Sequence, residues 1–109
     1  SSDLEAVDFI NNNYMKSITV QEVANHVNLS RSYLYKMFIK YLGQSTQSYL
    51  INIRMYKSSL LLKETNLSIL EIANKVGYDD PGLFSKTFSK HFSMSASKYR
   101  KIYQKNKTN

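Results

Sequence analysis

Apolar residues recur along this chain at intervals of three and four, the spacing that lines one face of an α-helix. Leu4, Val7, Ile10 and Tyr14, with Phe9 beside them, mark a first helix that Asp3 can cap and that the run Asn11, Asn12, Asn13 brings to an end. Thr19 and Glu22 stand at the spacing of a capping box, in which hydroxyl and carboxylate each take one orphan N–H of a helix's first turn, and a short helix follows to about Val27. Asn28 tolerates the left-handed backbone of a tight turn, and Ser30 is a good N-cap for a further helix that stops near Gly43. Ser45 or Thr46 starts a longer helix through "QSYLINIRMYKSSLLLK", with Leu50, Ile53, Leu60 and Leu61 as its buried side. About 18 residues at ~1.5 Å each make it a spacer of roughly 27 Å. After the break at "ETN", Ser68 and Glu71 repeat the capping box, Gly77 takes the turn position of Asn28, and Asp80 precedes Pro81 as N-cap to first helical residue. Ser95 can cap a last short helix, and "QKNKTN" reads as a frayed tail.

Three glycines and one proline leave little turn chemistry for a β-rich chain, so the pattern predicts an all-α fold. The expected architecture is two helix-turn-helix subdomains joined by a long linker helix, about seven helices in all. Residues 4–45 form the first lobe, 46–63 the linker, 64–104 the second lobe and 105–109 a tail, all within one domain by length.

The two lobes repeat each other. Glu22, Ala24, Asn25 and Val27 match Glu71, Ala73, Asn74 and Val76 at an offset of 49; Lys36, Phe38, Lys40, Ser45 and Tyr49 match Lys86, Phe88, Lys90, Ser95 and Tyr99 at an offset of 50. One extra residue therefore lengthens the second turn. A small residue on the first helix of each pair lets the helices cross closely, the turn residue four later makes the bend, and apolar anchors hold the second helix down. Such a second helix is the usual reader of a DNA groove. A single pattern of this kind is weak, but two copies, each with a basic second helix, are far more specific. On those second helices Ser32, Tyr35 and Lys36, and Gly82, Ser85 and Lys86, have the i, i+3, i+4 spacing of one exposed face. Leu34, Met37, Phe38, Leu83, Phe84 and Phe88 read as core, and Tyr35 more as a DNA contact than as packing.

These features give the chain a resemblance, over about residues 4–102, to the DNA-binding domain of the AraC/XylS family of bacterial transcription regulators. "RMYKSSLLLKETNLSILEIANKVGYDDPGLFSKTFSKHF" and "SMSASKYRK" look like that family's second helix-turn-helix with its flanks, and "LSRSYLYKMF" like its first reading helix. The resemblance implies sequence-specific binding of double-stranded DNA through two modules in successive major grooves, with base-reading positions at Ser32, Tyr35 and Lys36 after Arg31, and at Pro81, Gly82, Ser85 and Lys86. It also implies a missing N-terminal sensor or receiver domain and a role in transcription regulation, with activation and repression both open, while the absence of cysteine fits a cytoplasmic location. Pro81 and Gly82 offer no side-chain donor, so readout by the second module would rest on Ser85 and Lys86. Ser93 and Ala96 stand where the family commonly has Gly and Pro, and Arg54 matches a common arginine whose role is either structural or phosphate-facing.

Charge reinforces this picture. The net charge is +7, and Arg31, Lys36, Lys40, Arg54, Lys57 and Lys63 lie in an acid-free window between Glu22 and Glu64. After Asp80 a second acid-free window carries Lys86, Lys90, Lys98, Arg100, Lys101, Lys105 and Lys107. Segregation of this kind makes a positive field suited to a polyanion. Lys40, Lys57, Lys90 and Lys98 are either solvated or phosphate-binding, and Lys40 and Lys90 join the candidate DNA contacts. The competing interpretation is a protein-interaction module docking an acidic partner such as RNA polymerase. Without cysteine there is no disulfide, thiolate nucleophile or sulfur-built zinc site, nor the methyl-accepting cysteine of an alkylation-repair protein whose domains look similar. His26 and His91 lie in different lobes with no carboxylates at ligand spacing, so no catalytic residue, metal or cofactor is expected. No apolar run approaches the ~18 residues of a membrane span, and no secretory signal is present, so no membrane partner is expected either.

Overall fold

The computed structural model describes residues 2–104, so the tail expected at 105–109 lies outside the described residues. Seven helices follow one another: α1 (Ser2–Asn13), α2 (Val20–His26), α3 (Arg31–Leu42), α4 (Thr46–Glu64), α5 (Ile69–Lys75), α6 (Pro81–Phe92) and α7 (Ala96–Tyr103); among the described residues there is no strand. The chain divides into two compact units at the bond between Ile53 and Arg54, inside α4.

In the first unit Ala6, Ile10, Val23, Ala24, Leu34, Phe38 and Leu50 form the core. Ala24 is fully buried, as the close crossing of α2 and α3 requires. Asp3 lies within the first turn of α1 rather than capping it, and Leu4 is exposed where the periodicity places it in the core. The hydroxyl of Thr19 caps α2 by accepting from the N–H of Glu22 at 3.1 Å, but it donates to the Glu22 carboxylate at 3.3 Å, so the carboxylate is engaged by the hydroxyl. The two-sided capping box appears at Ser68 and Glu71 in the second unit.

The second unit buries Ile72, Ala73, Val76, Phe84 and Phe88, and with them part of the later half of α4. There the helix turns Met55, Ser58 and Leu62 inward, while Leu60 and Leu61, the residues its sequence nominates, are only half-buried. The Ser58 hydroxyl donates to the carbonyl of Met55 at 2.8 Å, which satisfies it without a tertiary partner.

The repeat survives in three dimensions within each unit. Asn28 (φ 57°) and Gly77 (φ 104°) are both left-handed. The N–H of Leu29 donates to the carbonyl of Ala24 at 3.0 Å, and that of Tyr78 to Ala73 at 2.9 Å, the bond that locks the chain after a helix in a Schellman turn. Phe38 meets Tyr49 edge-on at 5.7 Å, and Phe88 meets Tyr99 edge-on at 5.5 Å.

Candidate nucleic-acid interface

Each second helix is held by its core residues and shows the rest to solvent. Ser30 caps α3, its hydroxyl accepting from the N–H of Tyr33 at 3.1 Å, and Leu34 and Phe38 anchor the helix from below. Arg31, Ser32, Tyr35, Lys36 and Lys40 are all exposed. Tyr35 is 54 % exposed, too open for a core aromatic, and the Lys40 ammonium lies 5.2 Å from the ring of Tyr41.

On α6, Phe84 and Phe88 are buried, while Pro81, Gly82, Ser85, Lys86 and Lys90 are exposed. Leu83 corrects the expectation from its sequence: it is 53 % exposed, at the position that Tyr33 holds on α3 at 54 %. The Asp80 carboxylate accepts from the N–H groups of Gly82 at 2.9 Å and Leu83 at 3.3 Å. Its negative charge therefore faces the positive end of α6, where it stabilises the helix. A β-carbon on Gly82 would come within 3.2 Å of that carboxylate oxygen, so the glycine leaves room for the cap. All ten candidate residues thus lie exposed on the two second helices, five on each.

Two arginines of the basic windows have other work. Arg54 is only 8 % exposed, with its guanidinium 5.3 Å from the ring centre of Tyr78. Burial pushes its pKa below the usual arginine value and pushes that of the Tyr78 hydroxyl up, while the interaction between the two opposes both shifts. Arg54 is structural, holding the segment that leads into α6. Arg100 donates from Nε to the carbonyl of Leu62 and from Nη2 to that of Thr65, both at 3.2 Å, so it closes the C-terminal end of α4. The sequence carries no local signal of this pairing, since the partners lie 38 and 35 residues apart.

A family profile described as a helix-turn-helix domain matches residues 23–102. The chain is 59 % identical over 95 residues to the lactose operon transcription activator of Staphylococcus xylosus, and 45 % identical over 97 residues to the Msm operon regulatory protein of Streptococcus mutans. This chain belongs to the AraC family of helix-turn-helix domains. The matched segments are 87 % and 89 % of this chain but 34 % and 35 % of the two relatives, so the chain spans about a third of their length. The C-terminal domain of AraT, a response regulator from Geobacillus stearothermophilus, superimposes with a TM-score of 0.93 at 35 % identity, covering 99 % of this chain and 91 % of that one. The AraC-type assignment agrees with the resemblance carried by the repeated motif, and with the two-module, all-α architecture it implied.

Proposed function

We propose that this AraC-type domain binds double-stranded DNA sequence-specifically, as the C-terminal part of a bacterial transcription regulator. The observation that carries the proposal is the doubled arrangement itself: two helices, each pinned by a buried Leu–Phe or Phe–Phe pair, that present serine, lysine and, on α3, tyrosine to solvent with no acidic side chain on either helix. Ser32, Tyr35 and Lys36 on α3, and Ser85 and Lys86 on α6, read base edges, while Arg31, Lys40 and Lys90 take phosphates. Pro81 and Gly82 let the start of α6 approach the duplex closely. The two helices enter successive major grooves about one turn, ~34 Å, apart.

The relatives carry the names of operon regulators, and an operon promoter is the corresponding kind of target here. The full-length regulator joins this domain to an N-terminal sensor or receiver domain, works in the cytoplasm, and activates transcription. The family is one of DNA-binding regulators rather than enzymes. Docking on RNA polymerase is the competing function; it predicts little affinity for any duplex, and the pairing of two exposed basic helices gives it no particular support.

Selection from a random duplex library at roughly physiological salt, followed by sequencing of the bound pool, tests the proposal. Two enriched blocks about ten base pairs apart are expected. If about six phosphates are neutralised, log K falls against log salt with a slope of roughly −5. Lys36→Ala or Tyr35→Ala should relax base preference, whereas Lys90→Ala should weaken all sequences alike. A pool without enrichment and a slope near zero would overturn it.

A further inference from the structure

Leu83 is left outside the core that Phe84 and Phe88 enter, and among the described residues no other large apolar side chain of α6 stands so exposed. A lone exposed leucine is ordinary on a protein surface. This one lies in the first turn of α6, and the first turn of a groove-reading helix is the part that meets base edges. Lys86 and Lys90 follow at three and seven residues, a spacing that keeps all three side chains on one side of the helix, and both lysines are exposed. The first turn has no hydrogen-bonding side chain to offer a base. Pro81 and Gly82 carry neither donor nor acceptor, and the Asp80 carboxylate already accepts from the N–H groups of Gly82 and Leu83. Tyr33, at the matching position of α3, has a hydroxyl that can donate or accept; Leu83 has only apolar surface. Among the base edges of the major groove the apolar feature is the C5-methyl group of thymine.

We infer that Leu83 is a specificity-determining residue that recognises one thymine by covering its C5-methyl group. The inference rests on the DNA-binding function proposed above and adds to Ser85 and Lys86 a reader of a different chemistry. Gly82, with no β-carbon, lets the turn that carries Leu83 come close to the bases. Binding then removes from water both the leucine surface that the fold leaves exposed and the methyl group, and the gain is proportional to the apolar area covered. No charge is involved, so the contact contributes to base preference and not to the salt dependence.

The test uses a duplex recovered by selection with the wild-type chain and a set of copies in which each thymine in turn is replaced by deoxyuridine, which removes the methyl group and leaves the pairing edge intact. The block bound by α6 is the one whose base preference relaxes in Lys86→Ala. Within it, deoxyuridine at one position should weaken wild-type binding about fourfold, the effect of uncovering one carbon group. Leu83→Ala should bind the thymine duplex more weakly than wild type does, and should bind the thymine and deoxyuridine duplexes equally. Its salt slope should match that of wild type. A leucine that merely supported α6 would, on replacement, weaken both duplexes alike and leave their ratio at the wild-type value.

A block without thymine, or wild-type binding indifferent to deoxyuridine at every position of it, would overturn the inference while leaving sequence-specific DNA binding intact. A thymine preference that persists in Leu83→Ala would give the methyl group to another side chain, such as the ring of Pro81, and would overturn it equally. If wild type binds no duplex, the proposed function falls and the role of Leu83 with it.

Discussion

The two exposed basic helices end in the same backbone conformation with different residues. Gly43 follows α3 at φ 69°, ψ 14°, and Ser93 follows α6 at φ 58°, ψ 27°. Left-handed backbone costs an ordinary L-residue about 1–2 kcal/mol. Glycine escapes that cost but loses about 0.5–1 kcal/mol more conformational entropy on folding. The difference favours glycine by about 0.5–1 kcal/mol at either position. A β-carbon on Gly43 would meet nothing within 4 Å, so substitution there adds no clash to the backbone cost. Ser93→Gly should therefore stabilise the chain by about 0.5–1 kcal/mol, and Gly43→Ser should destabilise it by about as much. Urea denaturation followed by circular dichroism reads both; with m near 1–3 kcal/mol per molar, the midpoints should move by roughly 0.2–1 M in opposite directions. Where the two units unfold in separable steps, each change should move the step of its own unit. Two shifts of the same sign, or a neutral Gly43→Ser with unchanged m, would refute this account of the helix ends.

Phe88 is fully buried, with the rings of Phe92, Tyr99 and Phe84 centred 4.5, 5.5 and 5.9 Å away. Phe88→Ala should cost about 3–5 kcal/mol and confine DNA selection to a single enriched block, whereas a loss below about 1 kcal/mol would contradict the packing described. The Glu71 carboxylate is held below its ordinary pKa chiefly by the backbone N–H of Ser68, which donates to it at 3.0 Å. A pKa lowered on folding means that the ionised carboxylate stabilises the fold above the ordinary carboxylate range, and that this contribution fades as pH falls through the lowered value. Glu71→Gln should thus be less stable than wild type near neutrality and lose less on acidification; denaturant midpoints at neutral and acidic pH that fall equally in both proteins would count against it.

Much of the candidate interface is legible in the sequence because its logic is local. A Ser or Asp at the cap, an anchor pair at i+4 and i+8, and exposed positions between them orient α3 and α6 whatever lies beneath. The exceptions show where locality ends. Leu83 satisfies the apolar pattern but lies exposed at the place of Tyr33, and Gly82, an unpromising base reader, makes room for the Asp80 cap. Charge counting cannot separate the arginines: Arg31 is exposed, while Arg54 is buried against Tyr78 and Arg100 is spent on the carbonyls that end α4.

The sequence by itself determines the seven helices, the two left-handed turns after α2 and α5, and the repeat that relates the lobes. These depend on hydrogen bonds and steric limits among residues within about four or five of each other, and such contacts are written in adjacent letters. Only the tertiary structure decides which side of α4 is buried, that Leu4 and Leu83 remain outside, and that Arg54 and Arg100 serve the fold. It alone leaves the Thr46 hydroxyl buried without a partner. Each of those outcomes turns on surface supplied by distant parts of the chain, and burial is a property of what arrives from elsewhere rather than of the residue that is covered.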